Sequence, residues 1–303
     1  MVVVRWRTDG RAAEAQTRRR LREPKIMLRG TKDLLGSDVE GSDGSIGKVV
    51  DLYFDDHTWT VRSLVVKTGD WLAGRRDVLI SPISIDADAG SGKAFRTSLS
   101  REQVRGSPDV DTGKPVSRQH EVEQYGYYGY PYYWGGSGLW GEGAQPAMML
   151  GAYSGRVSDD VVRRQQAFVD SQAAFHRQRG DDPHLRSCNA VLGYHLHATD
   201  GDLGHAAGFL IDTKTWSLRY LIVNTSDWWF GHDVLVAPSW IDDISWLEAT
   251  VSVGLSRRSV KDAPPYSVGT VPTRPQEESL HEHHARPGYW NDADALETDI
   301  SRI

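Results

Sequence analysis

This sequence has a single cysteine, Cys188. An intramolecular disulfide and a cysteine-ligated metal cluster are therefore excluded, and the usage fits a reducing compartment. Long apolar runs are missing as well. None reaches the roughly 20 residues that a bilayer-spanning helix needs, and Met1–Val4 is broken at once by Arg5 and Arg7, so no signal-peptide core forms. The expected location is cytoplasmic, with peripheral attachment to the inner membrane as the alternative. There is no excess of positive charge either. A formal net charge of -6 disfavours neutralising a phosphate backbone, and no specific nucleic-acid partner is expected. No Gly-rich phosphate loop opens a helix after a strand, and no Gly-x-Ser-x-Gly elbow occurs. Cys188 has no sequence neighbour that would activate a thiolate. The chain is read as non-enzymatic, without a cofactor.

What the sequence does contain is a stretch that occurs twice. Shifted by about 157 residues, Leu185–Pro264 falls on Leu28–Pro108. Leu35-Gly36 meets Leu192-Gly193, and Asp43-Gly44 meets Asp200-Gly201. Thr58-Trp59 meets Thr215-Trp216, and Arg62, Asp70 and Trp71 meet Arg219, Asp227 and Trp228. After one residue drops out, Asp77-Val78-Leu79 lies on Asp233-Val234-Leu235 and Leu99-Ser100-Arg101 on Leu255-Ser256-Arg257. A unit of roughly 80 residues is large enough to be a small domain. The expected layout is a basic tail (1–25), repeat 1 (26–110), a Tyr/Gly-rich linker with a helix over about 158–179 (111–183), repeat 2 (184–266) and a polar acidic tail (267–303) that defaults to disorder.

Each repeat reads as β. Ser45–Phe54 alternates, with Ile46, Lys48, Val50, Leu52 and Phe54 on one face, and Val61–Thr68 is a second β-branched run. Together they predict a long hairpin, repeated at His205–Asp212 and Leu218–Thr225. Asp77–Ser81 is a short strand ended by Pro82, and Ser100 reads as the N-cap of a helix. The spacing predicts a small antiparallel barrel or sandwich. The tract Tyr125–Trp134 with Gly135–Gly143 reads as a flexible connector or as a docking segment.

Among the polar residues common to both copies, Asp43, Asp200, Asp70 and Asp227 flank turns and are read as holding backbone N–H groups. Arg62 and Arg219 lie in strands and need partners, with Asp43, Asp70 and Asp77 as candidates for the first. Trp71, and in the second copy Trp228, Trp229 and Phe230, follow the long hairpin. They could cover their own barrel, pack copy against copy about a pseudo-two-fold axis, or meet an external partner. His195 and His197 share a strand face, a spacing that can bind metal, but His205 could lie anywhere across the sheet, no third ligand is fixed and no metal site is assigned.

The pattern Leu-Gly…Asp-Gly…Gly-x-Val-x-Asp, then Trp-x-Val-Arg-x-Leu-Val-Val, then Asp-Val-Leu-Ile-Ser-Pro resembles the PRC-barrel domain. That domain is shared by the cytoplasmic part of the photosynthetic reaction-centre H subunit, the ribosome-maturation factor RimM and many small bacterial proteins. The resemblance implies a mainly β chain of two small antiparallel PRC-type barrels that act as docking surfaces. The resulting expectation is a protein-binding scaffold with an unidentified protein partner, or copy-to-copy or homo-oligomeric packing. One alternative is an H-subunit-like accessory of a membrane-associated electron-transport complex. Another is a metal-dependent enzyme using the His195, His197 and His205 cluster.

Overall fold

A computed structural model describes residues 27–86, 94–111, 116–136, 138–152, 183–225 and 232–291. The expected tail over 1–25, the helix over 158–179 and the segment holding Asp227, Trp228, Trp229 and Phe230 lie outside the described residues.

The first segment begins with β1 (Leu28–Gly30), α1 (Thr31–Leu34) and β2 (Asp38–Gly41). The long hairpin β3 (Gly44–Asp55) and β4 (Thr60–Thr68) follows, then β5 (Asp77–Ile80), a 3-10 turn at Pro82–Ser84, β6 (Ala94–Arg96) and α2 (Arg101–Arg105). Between the segments lie β7 (Val116–Ser117), α3 (Arg118–Tyr128) and α4 (Ala147–Ala152). The second segment runs through β8 (Pro183–Ser187), α5 (Cys188–Val191), β9 (His195–Ala198), β10 (Gly201–Asp212), β11 (Ser217–Asn224) and β12 (Asp233–Val236). A 3-10 turn at Pro238–Trp240, β13 (Ile241–Ser245), β14 (Thr250–Val253), α6 (Arg257–Lys261) and finally α7 (Arg274–His283) complete it. The chain is mainly β.

The hairpins form where β-branched residues alternate, but strict alternation does not survive. A register shift against β2 leaves Ile46 as an extra residue between Ser45 and Gly47, and shifts between Val49 and Asp51 and between Tyr53 and Phe54 add further bulges to β3. The buried phase therefore jumps, and Ile46 and Val49 are both interior although the alternation placed them on opposite faces. Gly47 is required at the crossing, because a Cβ there would lie 2.0 Å from the Lys67 carbonyl oxygen. The predicted N-cap of α2 forms: the Ser100 hydroxyl accepts from the Gln103 N–H, and Gln103 accepts in return from the Ser100 N–H.

Two separately closed barrels were expected. The strands instead join into one 14-stranded sheet that is not closed, ordered β13-β14-β9-β10-β11-β4-β3-β2-β6 along its main path. The reason is an exchange of first strands. β1 of the first segment pairs antiparallel with the end of β10, Leu28 opposite Asp212. β8 of the second pairs with the end of β3, Leu185 opposite Asp55. The two sides meet where Thr60 opposes Ser217. There the Val61 N–H donates to the Trp216 carbonyl and the Leu218 N–H to the Trp59 carbonyl, both at 2.8 Å. Trp59 and Trp216 both take a positive φ, 52° and 61°, at these matching turns. One apolar cluster runs through both segments, with Phe54 against Phe209 and Phe95 against Trp216, each pair of centroids 5.8 Å apart. Exchanged strands and a shared core make independent folding of either segment unfavourable.

Candidate functional site

A cluster of buried polar chemistry lies around Arg62, which is 1% exposed. It sits in β4 with its guanidinium 3.6 Å from the Tyr133 ring centroid and 4.7 Å from that of Trp140. It donates to the Leu139 carbonyl at 2.5 Å and to Thr58 Oγ1 at 3.1 Å. The nearest carboxylate is Asp55, 4.0 Å away across the hairpin, and not the expected Asp43, Asp70 or Asp77. Asp43 accepts from the Arg101 N–H at 2.8 Å, and Asp70 pairs with Arg75. The hairpin geometry explains this choice, because the bulged end of β3 turns Asp55 inward beneath the strand that carries Arg62.

The aromatic residues above Arg62 belong to the Tyr/Gly tract. That tract is an ordered cap, with α3 ending on Gly129 at φ 68°. Arg118 pairs with Glu121 at 2.9 Å, and Tyr133 donates its hydroxyl to Glu121 at 2.8 Å. The Trp140 indole N–H reaches the Thr215 carbonyl of the second segment at 2.8 Å. Burial drives the Tyr133 hydroxyl well above its ordinary pKa, and the Glu121 charge adds to the effect.

A second cap covers the second segment. Arg219 pairs with Asp212 at 3.2 Å and lies 4.1 Å from the Tyr289 ring centroid. Arg274 pairs with Glu277 at 3.1 Å, and the Tyr289 hydroxyl donates to Glu277 at 2.9 Å. The expected tail disorder gives way over Arg274–His283 to a helix that buries Glu277, Leu280 and His281. Burial, partly offset by Arg274, raises the Glu277 pKa. Sequence reasoning missed these caps, although the signal was present: Arg118, Glu121, Pro131 and Tyr133-Trp134 recur at the same spacing as Arg274, Glu277, Pro287 and Tyr289-Trp290. The backbone repeats too, since Ala285 takes the left-handed φ of 50° that Gly129 takes in the first cap.

The remaining candidates are dispersed. Trp71 is half-buried against the core, and its indole N–H donates to the Ile46 carbonyl at 2.7 Å. Asp200 accepts from the Arg257 N–H at 2.7 Å, matching Asp43. His195 and His205 are cross-strand neighbours, while His197 pairs with Asp202 at 2.6 Å. No group of three His, Cys, Asp or Glu that could hold a metal ion occurs among the described residues. A cavity of about 120 Å³ lies between α1, β10, β11 and Tyr266–Gly269, lined in part by Thr31, Gly208, Ile222 and Asp233. In the first segment the counterpart of Gly208 is Asp51, whose carboxylate is held by Ser187 and by the Asn189 N–H. Burial raises the Asp51 pKa against those hydrogen bonds.

A mainly antiparallel sheet built on a bulged long hairpin defines the class of the first segment, and the family comparison agrees with it. Residues 29–97 match the family model of the PRC-barrel domain. Comparison with curated proteins gives no match. Among the described residues no helix is long and apolar enough to cross a membrane.

Proposed function

We propose that the chain is a non-catalytic, protein-binding scaffold built on two PRC-type barrels, copies of one module that meet as an internal pair. The observation that carries this reading is the use made of the polar residues common to both segments. Asp43 and Asp200 each accept from the first N–H of a helix. Arg62 and Arg219 each lie beneath a tyrosine, and Glu121 and Glu277 each hold that tyrosine in place. A catalytic pair would keep equivalent reactive groups at equivalent open clefts. Here the equivalent groups fasten turns and caps, and the cavity beside Gly208 is lined differently from its counterpart around Asp51. Trp228 and Trp229 bring to the second segment the residue types that dominate binding hot spots.

The test is affinity capture of the full chain from its native extract with cross-linking mass spectrometry, wild type beside Trp228→Ala/Trp229→Ala. The expected result is a stoichiometric protein partner that the variant loses while its melting temperature stays unchanged. Free chain in both samples, or a partner held equally by both, would overturn the reading.

A further inference from the structure

The two caps differ in one systematic way. Tyr125, Tyr127 and Tyr128 of the first correspond to His281, His283 and His284 of the second. One contact is equivalent in the two: the Tyr127 hydroxyl donates to the Gln103 carbonyl at 2.8 Å, and His283 Nε2 lies 2.8 Å from the Ser259 carbonyl. We propose that the C-terminal cap, α7 with its Tyr289-Trp290 extension, is an acid-released strap triggered at His284, and that the tyrosine cap is its acid-insensitive counterpart. This goes beyond the scaffold reading and does not depend on it.

His284 is buried, with Nδ1 2.8 Å from Ser259 Oγ of α6 and its ring 4.8 Å from that of Trp240 in the 3-10 turn. Its own segment presents His281, His283 and Arg286, so the charged neighbours that act on it most strongly are cationic or become so. Burial, reinforced by these groups, lowers its pKa to about 4. His281 is situated differently. Its Nε2 is 3.2 Å from the Tyr220 hydroxyl of β11, and that same hydroxyl donates to Glu277 at 3.0 Å. Its Nδ1 faces the Pro287 carbonyl at 2.9 Å, its ring contacts Trp240 and Trp290, and Arg274 acts on it from the same helix. A proton on His281 therefore finds a carboxylate one hydroxyl away, whereas the charged groups that act most strongly on His284, namely His283, His281 and Arg286, oppose a proton there. Release would uncover Tyr220, Trp240 and Arg219 of the second segment. The tyrosine cap has no group to protonate in the same place, since Tyr128, the counterpart of His284, is neutral throughout the acid range.

The experiment is amide hydrogen exchange with mass spectrometry on the full chain, compared as protection factors at about pH 7 and about pH 4.5. Protection over 274–291 is expected to fall about tenfold on acidification, while that over 118–134 holds. In His284→Phe and in His284→Gln the acid-dependent loss is expected to shrink to the part that His281 contributes. Equal losses from both caps, an acid-dependent loss undiminished in the two variants, or a His284 ring that titrates by NMR at or above its ordinary value would each overturn the proposal.

Discussion

Replacing Arg62 with methionine removes the guanidinium while keeping an apolar stem of similar length. In the wild type that group donates to the Leu139 carbonyl at 2.5 Å and lies between the Tyr133 and Trp140 rings. The variant forfeits a desolvated cation–π contact, about 2 kcal/mol, and leaves the part-buried Leu139 carbonyl unmatched, about 1–2 kcal/mol. Relief of the charge's own desolvation offsets part of this. Asp55 is not stranded, because it still accepts from the His57 and Thr58 N–H groups at 2.9 and 3.0 Å. The net expected loss is about 3 kcal/mol, read from urea unfolding by circular dichroism with an unchanged slope. A double-mutant cycle with Tyr133→Leu isolates the contact, with an expected coupling of about 1–2 kcal/mol. A loss below about 0.5 kcal/mol, or strict additivity of the two substitutions, would refute the claim that the arginine fastens the cap.

Three further outcomes follow from the geometry. Gly47→Ala and Gly204→Ala would put Cβ atoms 2.0 and 2.1 Å from backbone oxygens, so each should cost more than about 2 kcal/mol. Gly36→Ala and Gly193→Ala meet no atom within 4 Å and should cost only about 1–2 kcal/mol for their positive φ; equal losses in all four would contradict this. Cys188 is buried and its thiol pKa is pushed well up by burial and by Asp51, so an aromatic disulfide reagent should label it only at the rate of global unfolding. Fast labelling of the native chain would count against its placement. His281 and His284 both bind protons less readily folded than unfolded, whereas Glu277 and Asp51 bind them more readily. Acidification from about pH 6.5 towards about 4 should therefore lower the urea midpoint of the wild type relative to that of His281→Gln/His284→Gln. A wild-type midpoint that rises relative to that variant would reverse the sign.

The sequence made the local elements legible. Asp43-Gly44, the β-branched run over Val61–Thr68 and the Ser100 cap are short-range signals, and each marked an element at or near its observed place. The face assignment in β3 was lost at its bulges, which add a residue that no periodicity announces. Strand exchange was equally invisible, because Leu28–Gly30 carries the same residue pattern whichever segment it pairs with. The partner of Arg62 was misjudged for a related reason: Asp55 is the nearest of these carboxylates along the chain, but only the bulged register of the hairpin, with Asp55 opposite Thr60, brings the two side chains together. The caps were legible in principle. Arg118, Glu121 and Tyr133-Trp134 repeat as Arg274, Glu277 and Tyr289-Trp290, but the low-complexity tyrosines and the clustered histidines masked the correspondence.

The exchange of first strands between the segments is what makes them one sheet, and Hα–Hα contacts of the protonated chain in heavy water report it directly. Cross-peaks are expected between the strands Leu28–Gly30 and Leu210–Asp212 and between Leu185–Ser187 and Tyr53–Asp55. Cross-peaks from Leu28–Gly30 to Tyr53–Asp55 instead would mean that each segment keeps its own first strand, and the internal pair as described here would be wrong.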